Sequence, residues 1–250
     1  MKALITGASS GLGKEFAYIL SDMGYDIIAV ARREDKLMEL KKSLKTEVTV
    51  VAADLSDRQQ CFALFDKVGD DVEIVINNAG FGDCGLFDCT DINRDLDMID
   101  LNITAVSIIT KLFYEQFVKR NHGYILNVAS IAGILPGGPF MAQYYATKAY
   151  VLSLTRGLYQ EAKNTDVHIS AFCPGPVDTE FNDNANVSFA LKGIDAGYAA
   201  RYAIKQMFKH KLTIVPQLKI KLSAFSVRLV PVKLLLKITS KIQKSKILQK

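Results

Sequence analysis

The sequence predicts an α/β fold of the Rossmann-like, doubly wound type, with a seven-stranded parallel sheet flanked by helices on both faces. Short apolar, β-branched segments alternate along the chain with longer segments of helical periodicity. Several of the apolar segments are almost continuous, as expected of strands that are covered on both faces. A glycine-rich turn directly follows the first of them. We expect one such domain over residues 1–215, because 250 residues with 49% hydrophobic content are enough for one substantial core.

Each element is predicted from its apolar pattern and from the residues that bound it. The first helix places Leu12, Phe16 and Ile19 on one face and ends at Gly24, a residue type common just after helix C-termini. The predicted strands are 2–6, 26–31, 48–53, 73–76, 123–128, 167–172 and 212–215. The predicted helices are 11–24, 34–45, 57–68, 91–120 (long enough for more than one helix), 143–163 and 195–210.

Composition argues against several other protein classes. No C-x-x-C pair is present and the three histidines are scattered along the chain, so neither a disulfide framework nor a metal site is expected. No signal peptide and no 18-residue apolar window are recognisable. We therefore expect a cytoplasmic protein with four reduced thiols. The residues concerned are Cys61, Cys84, Cys89, Cys173, His122, His168 and His210.

The glycine-rich turn has the features of a phosphate-binding loop. It reads "TGASSGLG" at 6–13 and lies between a predicted strand and a predicted helix. Glycine lets the backbone approach a pyrophosphate closely, and a helix N-terminus presents unpaired N–H groups to it. The alternative is a glycine-rich turn without a ligand. The candidate cofactor contacts are Gly7, Ser9, Ser10, Gly11, Leu12 and Gly13.

The end of the second strand favours NADPH over NADH. In NAD-binding folds, an acidic residue about 20 positions beyond the glycine turn accepts a hydrogen bond from the ribose 2′-hydroxyl. Here Arg32 and Arg33 occupy that place, and the first acid is Glu34. A guanidinium pairs well with a 2′-phosphate. The alternative is that both arginines are solvated surface charges.

The segment "QYYATK" at 143–148 offers two candidate proton donors. Tyr144 and Lys148 are four residues apart and Tyr145 and Lys148 are three apart, so either pair shares a helix face. A nearby ammonium favours the phenolate and lowers the tyrosine pKa from its usual value near ~10. A pKa closer to neutrality would suit general acid–base catalysis. Spacing alone leaves both tyrosines open.

The chain resembles the short-chain dehydrogenase/reductase family over about residues 2–215. Six segments occur in the family's order: "TGASSGLG", "NNAG" at 77–80, "LN" at 101–102, "VAS" at 128–130, "YYATK" at 144–148 and "PGPVDT" at 174–179. The family's Tyr-x-x-x-Lys pattern selects Tyr144 as proton donor and leaves Tyr145 a packing role. The resemblance also implies that Lys148 holds the nicotinamide ribose. By the same resemblance, Ser130 hydrogen-bonds the substrate oxygen and Asn102 holds a relay water.

The resemblance implies further cofactor contacts at the ends of three strands. They follow the third, fourth and sixth strands, where doubly wound sheets bind ligands. Taken one at a time, each could equally be ordinary turn chemistry. These candidates are Asp54, Leu55, Asn78, Ala79, Gly80, Pro174, Gly175, Val177 and Thr179.

The function that the resemblance implies is an NADPH-dependent carbonyl reductase or alcohol dehydrogenase. Phenylalanines in 81–92, 131–143 and 180–195 suggest an apolar pocket for a steroid, fatty-acyl or aromatic ketone. A non-catalytic NADPH-binding regulator is the alternative, but it would have no need of Ser130, Tyr144 and Lys148. The family is often dimeric or tetrameric, through helices equivalent to 91–120 and 143–163.

Residues 216–250 are predicted to form a basic, amphipathic, helical extension. Net charge is +5, but no acidic residue follows Asp195 and residues 201–250 carry 13 Lys plus Arg, which leaves 18 basic against 26 acidic groups before them. Two apolar stripes flank Pro231. The extension has two candidate roles: a lid that packs on the body or on a second subunit, or binding of an anionic membrane surface through 217–250. Nucleic-acid binding is not expected, because aromatic residues are not interleaved with the lysines. The stripes are Leu218, Leu222, Phe225 and Leu229, then Leu234, Ile238 and Ile242.

Overall fold

The predicted fold class is confirmed. A computed structural model of the chain describes residues 1–68, 71–181, 193–218, 220–221 and 230–247, with side chains described as far as residue 244. Seven parallel strands form one sheet in the order β3-β2-β1-β4-β5-β6-β7. The predicted strand bounds agree with the structure to within one residue at either end. The strands are β1 (Lys2–Thr6), β2 (Asp26–Ala31), β3 (Val48–Ala52), β4 (Val72–Asn77), β5 (Gly123–Val128), β6 (Val167–Phe172) and β7 (Thr213–Ile214).

Helices connect the strands, and the predicted helical segment 91–120 contains more than one helix. The predicted helix 91–120 consists of two α-helices joined by a π-helical segment, Asp100–Ala105. The α-helices of the described residues are α1 (Gly11–Asp22), α2 (Glu34–Ser43), α3 (Arg58–Val68), α4 (Ile92–Ile99), α5 (Val106–Arg120), α6 (Ala142–Glu161), α7 (Ala196–Met207) and α8 (Val232–Ile247).

The first helix ends as its sequence predicts. Gly24 has φ of +91°, and the N–H of Tyr25 donates to the carbonyl of Leu20 at 3.0 Å. This left-handed termination satisfies carbonyls that have no partner within the helix. It turns the chain directly into β2, so the two elements stay in contact.

Both faces of the sheet are buried. Neighbouring residues of β1 point to opposite sides: Ile5 packs in a core with Phe16 of α1 and Met207 of α7, whereas Leu4 packs in a second core with Phe113 of α5. All five of these side chains are fully buried. This double coverage accounts for the almost continuous apolar character of the strands.

The strand order reverses at β1 and β4, which lie side by side at the centre of the sheet. Crossovers on opposite faces leave a crevice at the carboxyl ends of such a pair, and ligands of doubly wound sheets bind there. The turns that follow β1, β4, β5 and β6 therefore converge at one edge.

The three histidines, scattered in sequence, meet in space near the amino-terminal ends of β5 and β6. His168 and His210 are stacked, with ring centroids 3.4 Å apart at 11°. Tyr124 lies 5.1 Å from His168 and 5.8 Å from His122. The parallel neighbours β5 and β6 place Tyr124 beside His168 in register, a proximity that the sequence spacing does not reveal. In the described part of the chain, no cluster of three or more His, Cys, Asp or Glu side chains is suited to a metal ion.

Within the described residues, no helix is both long and apolar enough to cross a membrane. The four cysteines are free thiols. Burial raises the pKa of Cys61 to about 11 and that of Cys173 to about 12, so both remain protonated near neutrality.

Candidate active site

Three candidate catalytic side chains converge beside the carboxyl end of β5. Tyr144 and Lys148 lie one turn apart on α6, and both are buried. The Ser130 hydroxyl hydrogen-bonds the Tyr144 phenol and also accepts from the N–H of Ala132 at 3.1 Å. The Lys148 ammonium donates to the carbonyl of Val128 at 2.9 Å and lies 5.8 Å from the centroid of the Tyr144 ring.

Burial sets the protonation of this group. Loss of hydration raises the pKa of Tyr144 to about 12, although the hydrogen bond from Ser130 opposes the shift. Burial also lowers the pKa of Lys148 to about 8. The sequence led us to expect that Lys148 lowers the tyrosine pKa. The net shift in the structure is upward, because burial disfavours the phenolate more strongly than the Ser130 hydrogen bond favours it.

Asn102 lies in the π-helical segment and is fully buried. Its amide oxygen accepts from the N–H of Phe81 at 3.1 Å, and its amide nitrogen donates to the Phe81 carbonyl at 2.8 Å and to Thr147 Oγ1 at 3.1 Å. The side chain thus clamps the turn after β4 onto α6. The relay water that the family resemblance assigned to Asn102 would have to bind elsewhere than this engaged amide nitrogen.

Sequence reasoning missed Thr147, which connects these groups. Its fully buried hydroxyl donates to the carbonyl of Tyr144 at 2.8 Å and accepts from Asn102. The available signal was its position between the two candidate catalytic residues of α6. Its partners are set by the tertiary fold and could not be inferred from spacing.

The glycine turn packs directly against the turn after β4. Gly7 has φ of +67°, and a Cβ there would lie 2.8 Å from Asn78 Nδ2. A Cβ on Gly13 would collide with the carbonyl of Gly7. Asn78 Nδ2 donates to the carbonyl of Thr6 at 2.9 Å, and the Thr6 hydroxyl accepts from the N–H groups of Asn78 and Ala79 at 3.0 and 2.9 Å. Asn78 therefore fixes this turn, with Thr6 as a second residue that the sequence pattern did not single out.

At two further glycines, a side chain would press against a neighbouring turn. A Cβ on Gly80 would lie 2.7 Å from Asn102 Oδ1 and 3.4 Å from Lys148 Nζ. A Cβ on Gly11, whose φ is +51°, would lie 3.1 Å from Thr179. Glycine is thus required where the turns after β1, β4 and β6 face one another. These turns form one edge of the crevice at which doubly wound sheets bind their ligands.

The two arginines after β2 occupy different surroundings. Arg33 Nη2 donates to Ser9 Oγ at 3.2 Å, to Ser10 Oγ at 2.9 Å and to Glu180 Oε2 at 3.0 Å. Arg32 is more exposed and lies 3.8 Å from Asp54 Oδ2. Both arginines are therefore next to candidate cofactor contacts, and Arg33 is bound to the glycine turn itself.

Asp54 and Leu55 follow β3 and differ in accessibility. Partial burial opposes ionisation of Asp54, but hydrogen bonds from Ser56 and the charge of Arg32 outweigh it and keep the pKa of Asp54 below its ordinary value. The Leu55 side chain is buried in the core. The Asp54 carboxylate is thus available at the edge of the crevice, whereas Leu55 can offer its backbone.

Hydrogen bonds of its backbone hold the segment after β6 in place. The Pro174 carbonyl accepts from the N–H of Ile131 at 2.9 Å, and the N–H of Gly175 donates to Gln217 Oε1 at 3.0 Å. Val177 is buried and pairs with Ile194 in an isolated bridge. Of the candidates in this segment, Thr179 is the one that lies against the glycine turn.

An apolar wall surrounds the Tyr144 phenol. Phe181 lies 5.6 Å from it between ring centroids, and Phe81 and Leu135 pack in the same cluster with Met141. Phe87, by contrast, is 70% exposed. Phe189, also suggested for the pocket, is outside the described residues. The surroundings of the phenol therefore suit an apolar substrate.

Tyr145 has different neighbours from Tyr144. Its ring covers Gly138, and its hydroxyl accepts from Gln243 Nε2 of α8 at 2.7 Å. The adjacent tyrosines thus differ in their hydrogen-bond partners: Tyr144 contacts Ser130, and Tyr145 contacts the C-terminal extension.

This fold and this site together define a class, the Rossmann-fold oxidoreductases that bind a nicotinamide cofactor and act on CH–OH and C=O groups. The chain belongs to the short chain dehydrogenase family, whose family model matches residues 1–188. It is 32% identical over 186 residues to the 3-oxoacyl-(acyl-carrier-protein) reductase of Rickettsia prowazekii (strain Madrid E), which covers 74% of this chain and 76% of the relative.

Two solved structures show the same fold. A short-chain dehydrogenase from Sphingobium yanoikuyae in complex with NADPH superposes with a TM-score of 0.82 at 28% identity, covering 90% of this chain and 92% of that one. A short chain dehydrogenase/reductase from Burkholderia phymatum in complex with NAD gives a TM-score of 0.82 at 26% identity, covering 91% and 94%. Similar structures therefore include complexes with either nicotinamide cofactor.

Proposed function

We propose that this protein is an NADPH-dependent reductase that converts an apolar ketone to a secondary alcohol. The observation that carries the proposal is the convergence of Ser130, Tyr144 and Lys148 beside the turn that follows β4. A phenol that stays protonated throughout the neutral range, as burial keeps Tyr144, is suited to donate a proton in the direction of reduction.

The roles of the side chains follow from their positions. Bound NADPH supplies a hydride for the carbonyl carbon. Tyr144 gives its proton to the carbonyl oxygen, and the Ser130 hydroxyl hydrogen-bonds that oxygen as negative charge develops on it. Lys148, charged below about pH 8, stabilises the phenolate that remains. Gly80 lets the turn after β4 approach these groups closely, because a Cβ there would lie 2.7 Å from Asn102 Oδ1 and 3.4 Å from Lys148 Nζ.

The preference for NADPH is supported by the arginines. Arg33 and the hydroxyls of Ser9 and Ser10 form one group of donors at the start of the glycine turn, with Arg32 beside it. Guanidinium and hydroxyl groups suit a 2′-phosphate. The cofactor is tested by comparing kcat/KM for NADPH with that for NADH.

The substrate class is supported by the apolar wall of Phe81, Leu135 and Phe181. The Rickettsia relative is named for reduction of a 3-oxoacyl group, which is also a ketone on an apolar chain. We therefore place long-chain 3-oxoacyl thioesters first in a panel that also contains steroid, aromatic and small aliphatic ketones. Equal turnover of all four classes would contradict selection by an apolar pocket.

NADPH oxidation on this panel tests the enzyme against a regulator that only binds the cofactor. We expect turnover of at least one ketone, together with NADPH binding. Tight binding of NADPH with no turnover of any carbonyl would overturn the reductase proposal and favour the regulator.

We further propose a homodimer or homotetramer formed through α4, α5 and α6. Ile92 and Leu96 of α4, Val118 of α5 and Tyr150 of α6 are large apolar side chains with exposed fractions of 66, 50, 39 and 41%. Sedimentation equilibrium tests this assembly, and a monomer at micromolar concentration would contradict it.

A further inference from the structure

The apolar stripe that the sequence identified on α8 faces away from the body. Its polar side chains Thr239 and Gln243 face the body and are only 7% and 2% exposed. Its apolar side chains Leu234 and Ile238 face outward and are 50 and 49% exposed. An amphipathic helix ordinarily buries its apolar face against the body, so the outward face needs an explanation.

Contacts on the inner face fix this orientation. Gln243 donates to the Tyr145 hydroxyl at 2.7 Å, and Leu236 lies beside Gly137 in the loop that precedes α6. A rotation of α8 that buried Leu234 and Ile238 would break the buried hydrogen bond of Gln243. The outward apolar residues are therefore available to a partner while α8 remains seated on the body.

The charged side chains that α8 itself carries are all lysines. Lys233, Lys237, Lys241 and Lys244 are all exposed. No acidic residue occurs after Asp195, and in the part of the chain that the structure describes none of these four lysines has a carboxylate within 4 Å. Apolar side chains flanked by lysines on one helix face match the boundary of an anionic bilayer, where acyl chains lie below negatively charged headgroups.

We propose that the outward face of α8 binds the surface of an anionic phospholipid membrane, with the helix axis parallel to the bilayer. The inner face of the helix remains on Tyr145, so membrane binding places the neighbourhood of the candidate active site at the lipid boundary. The 16 residues of α8 span about 24 Å, which provides one long contact line.

Two alternatives fit the observed charges less well: pairing of α8 with a second copy of the chain, and membrane binding through a different surface. A second copy that paired through the same face about a two-fold axis would bring two sets of four lysines together. Leu86 and Phe87 form another exposed apolar pair, 55% and 70% exposed, but Asp88 and Asp91 accompany them and an anionic surface would repel that loop. The membrane face is therefore assigned to α8.

Vesicle co-sedimentation of the full-length protein tests the proposal without any need for turnover, so its outcome is separate from that of the proposed reductase activity. We expect the protein to sediment with vesicles of phosphatidylcholine mixed with phosphatidylglycerol and to remain in the supernatant with phosphatidylcholine alone. Binding should weaken with added salt. Equal recovery in the supernatant with both vesicles would overturn the proposal.

Two variants locate the contact. The triple change Lys233→Gln/Lys237→Gln/Lys241→Gln should weaken binding roughly 100-fold, because each lysine near an anionic surface contributes about one kcal/mol. The double change Leu234→Ser/Ile238→Ser should weaken binding about tenfold by removing apolar groups from the bilayer.

The matched controls carry the same number and type of substitutions at exposed positions outside α8. They are Lys205→Gln/Lys209→Gln/Lys211→Gln and Met38→Ser/Phe62→Ser, which alter exposed residues outside α8. Controls that weaken binding as much as the α8 variants would contradict this face as the site. Self-association that the Leu234→Ser/Ile238→Ser change abolishes, with no vesicle binding, would assign the face to a second copy instead. Thermal unfolding confirms that each variant is folded.

Discussion

Tyr144 and Lys148 are both buried, and burial shifts their pKa values in opposite directions. The tyrosine pKa rises to about 12 and the lysine pKa falls to about 8. Near neutral pH the pair is therefore a neutral phenol beside an ammonium. This is the protonation state required for proton donation to a carbonyl oxygen.

The rate of reduction should depend on pH through the ionisation of Lys148. Above about pH 8, Lys148 loses its proton and no longer stabilises the phenolate, whereas Tyr144 remains protonated to about pH 12. We expect kcat/KM for NADPH, at saturating ketone, to be constant from pH 6 to pH 7.5 and to fall above about pH 8. A profile that stays flat to pH 10 would contradict the assigned lysine pKa.

Glu180 competes for the arginine that we assign to the 2′-phosphate. Hydrogen bonds from Arg33, and a further one from Ser10, hold the pKa of Glu180 below its ordinary value, so the carboxylate is charged at neutral pH. A phosphate that reaches Arg33 must share or displace this carboxylate.

The change Glu180→Gln should therefore strengthen NADPH binding by a few-fold and leave NADH binding nearly unchanged. Fluorescence titration of both cofactors measures this selectivity. Asp178→Asn is the control, because it removes a charge two residues away without touching Arg33. An equal gain for NADH, or a loss for NADPH, would show that Glu180 does not compete with the 2′-phosphate.

At the scale of elements, the π-helical segment between α4 and α5 is a feature that the sequence did not predict. The apolar pattern of 91–120 predicted helix correctly but gave no sign of the local widening at Asp100–Ala105. The widening coincides with Asn102, whose side chain clamps Phe81 to α6. Such segments are frequently found at functional sites.

The orientation of α8 likewise could not be predicted from the sequence. Periodicity identified Leu234, Ile238 and Ile242 as one stripe, for which packing on the body or membrane binding were both open; the three side chains are 50, 49 and 48% exposed. The decisive interaction is the buried hydrogen bond between Gln243 and Tyr145, which joins residues 98 positions apart. By contrast, the glycine turn and the C-terminal Gly24 of α1 were predictable because local φ requirements determine them.

Removal of the Asn102 clamp should destabilise the fold. The change Asn102→Leu keeps the size of the side chain but leaves the backbone groups of Phe81 and the Thr147 hydroxyl without this partner. We expect a loss of about 2–4 kcal/mol in the free energy of unfolding, measured by urea denaturation. The exposed Asn93→Leu change on α4 is the matched control and should lose less than about 0.5 kcal/mol. Equal losses in the two variants would contradict the clamp.

At the scale of the whole molecule, the two ends of the sheet have different chemistry. The carboxyl ends of the strands carry the candidate active site, and the amino-terminal ends of β5 and β6 carry the histidine cluster. Burial lowers the pKa of His168, and the charges of His210 and His122 lower it further, against the opposing charge of Asp166. The unfolded chain therefore takes up this proton at a higher pH than the folded chain does.

Stability should consequently decline on acidification. The contribution of His168 is complete above its unfolded pKa near ~6.5 and is lost as pH falls through the lower folded value. Melting temperatures measured at pH 7.5 and pH 5.5 should differ more for the wild type than for His210→Gln, in which one of the two stacked rings is removed. The same difference for both proteins would show that the stacked pair does not control acid stability.

The central claim is that Tyr144, and not its neighbour Tyr145, donates the proton. It is tested most directly by NADPH oxidation with a ketone that the wild type reduces, run for Tyr144→Phe and Tyr145→Phe side by side. We predict that Tyr144→Phe lowers kcat by roughly 10²–10⁴-fold while NADPH binding is retained, and that Tyr145→Phe keeps most of the activity. Activity that survives Tyr144→Phe but disappears with Tyr145→Phe would contradict the account.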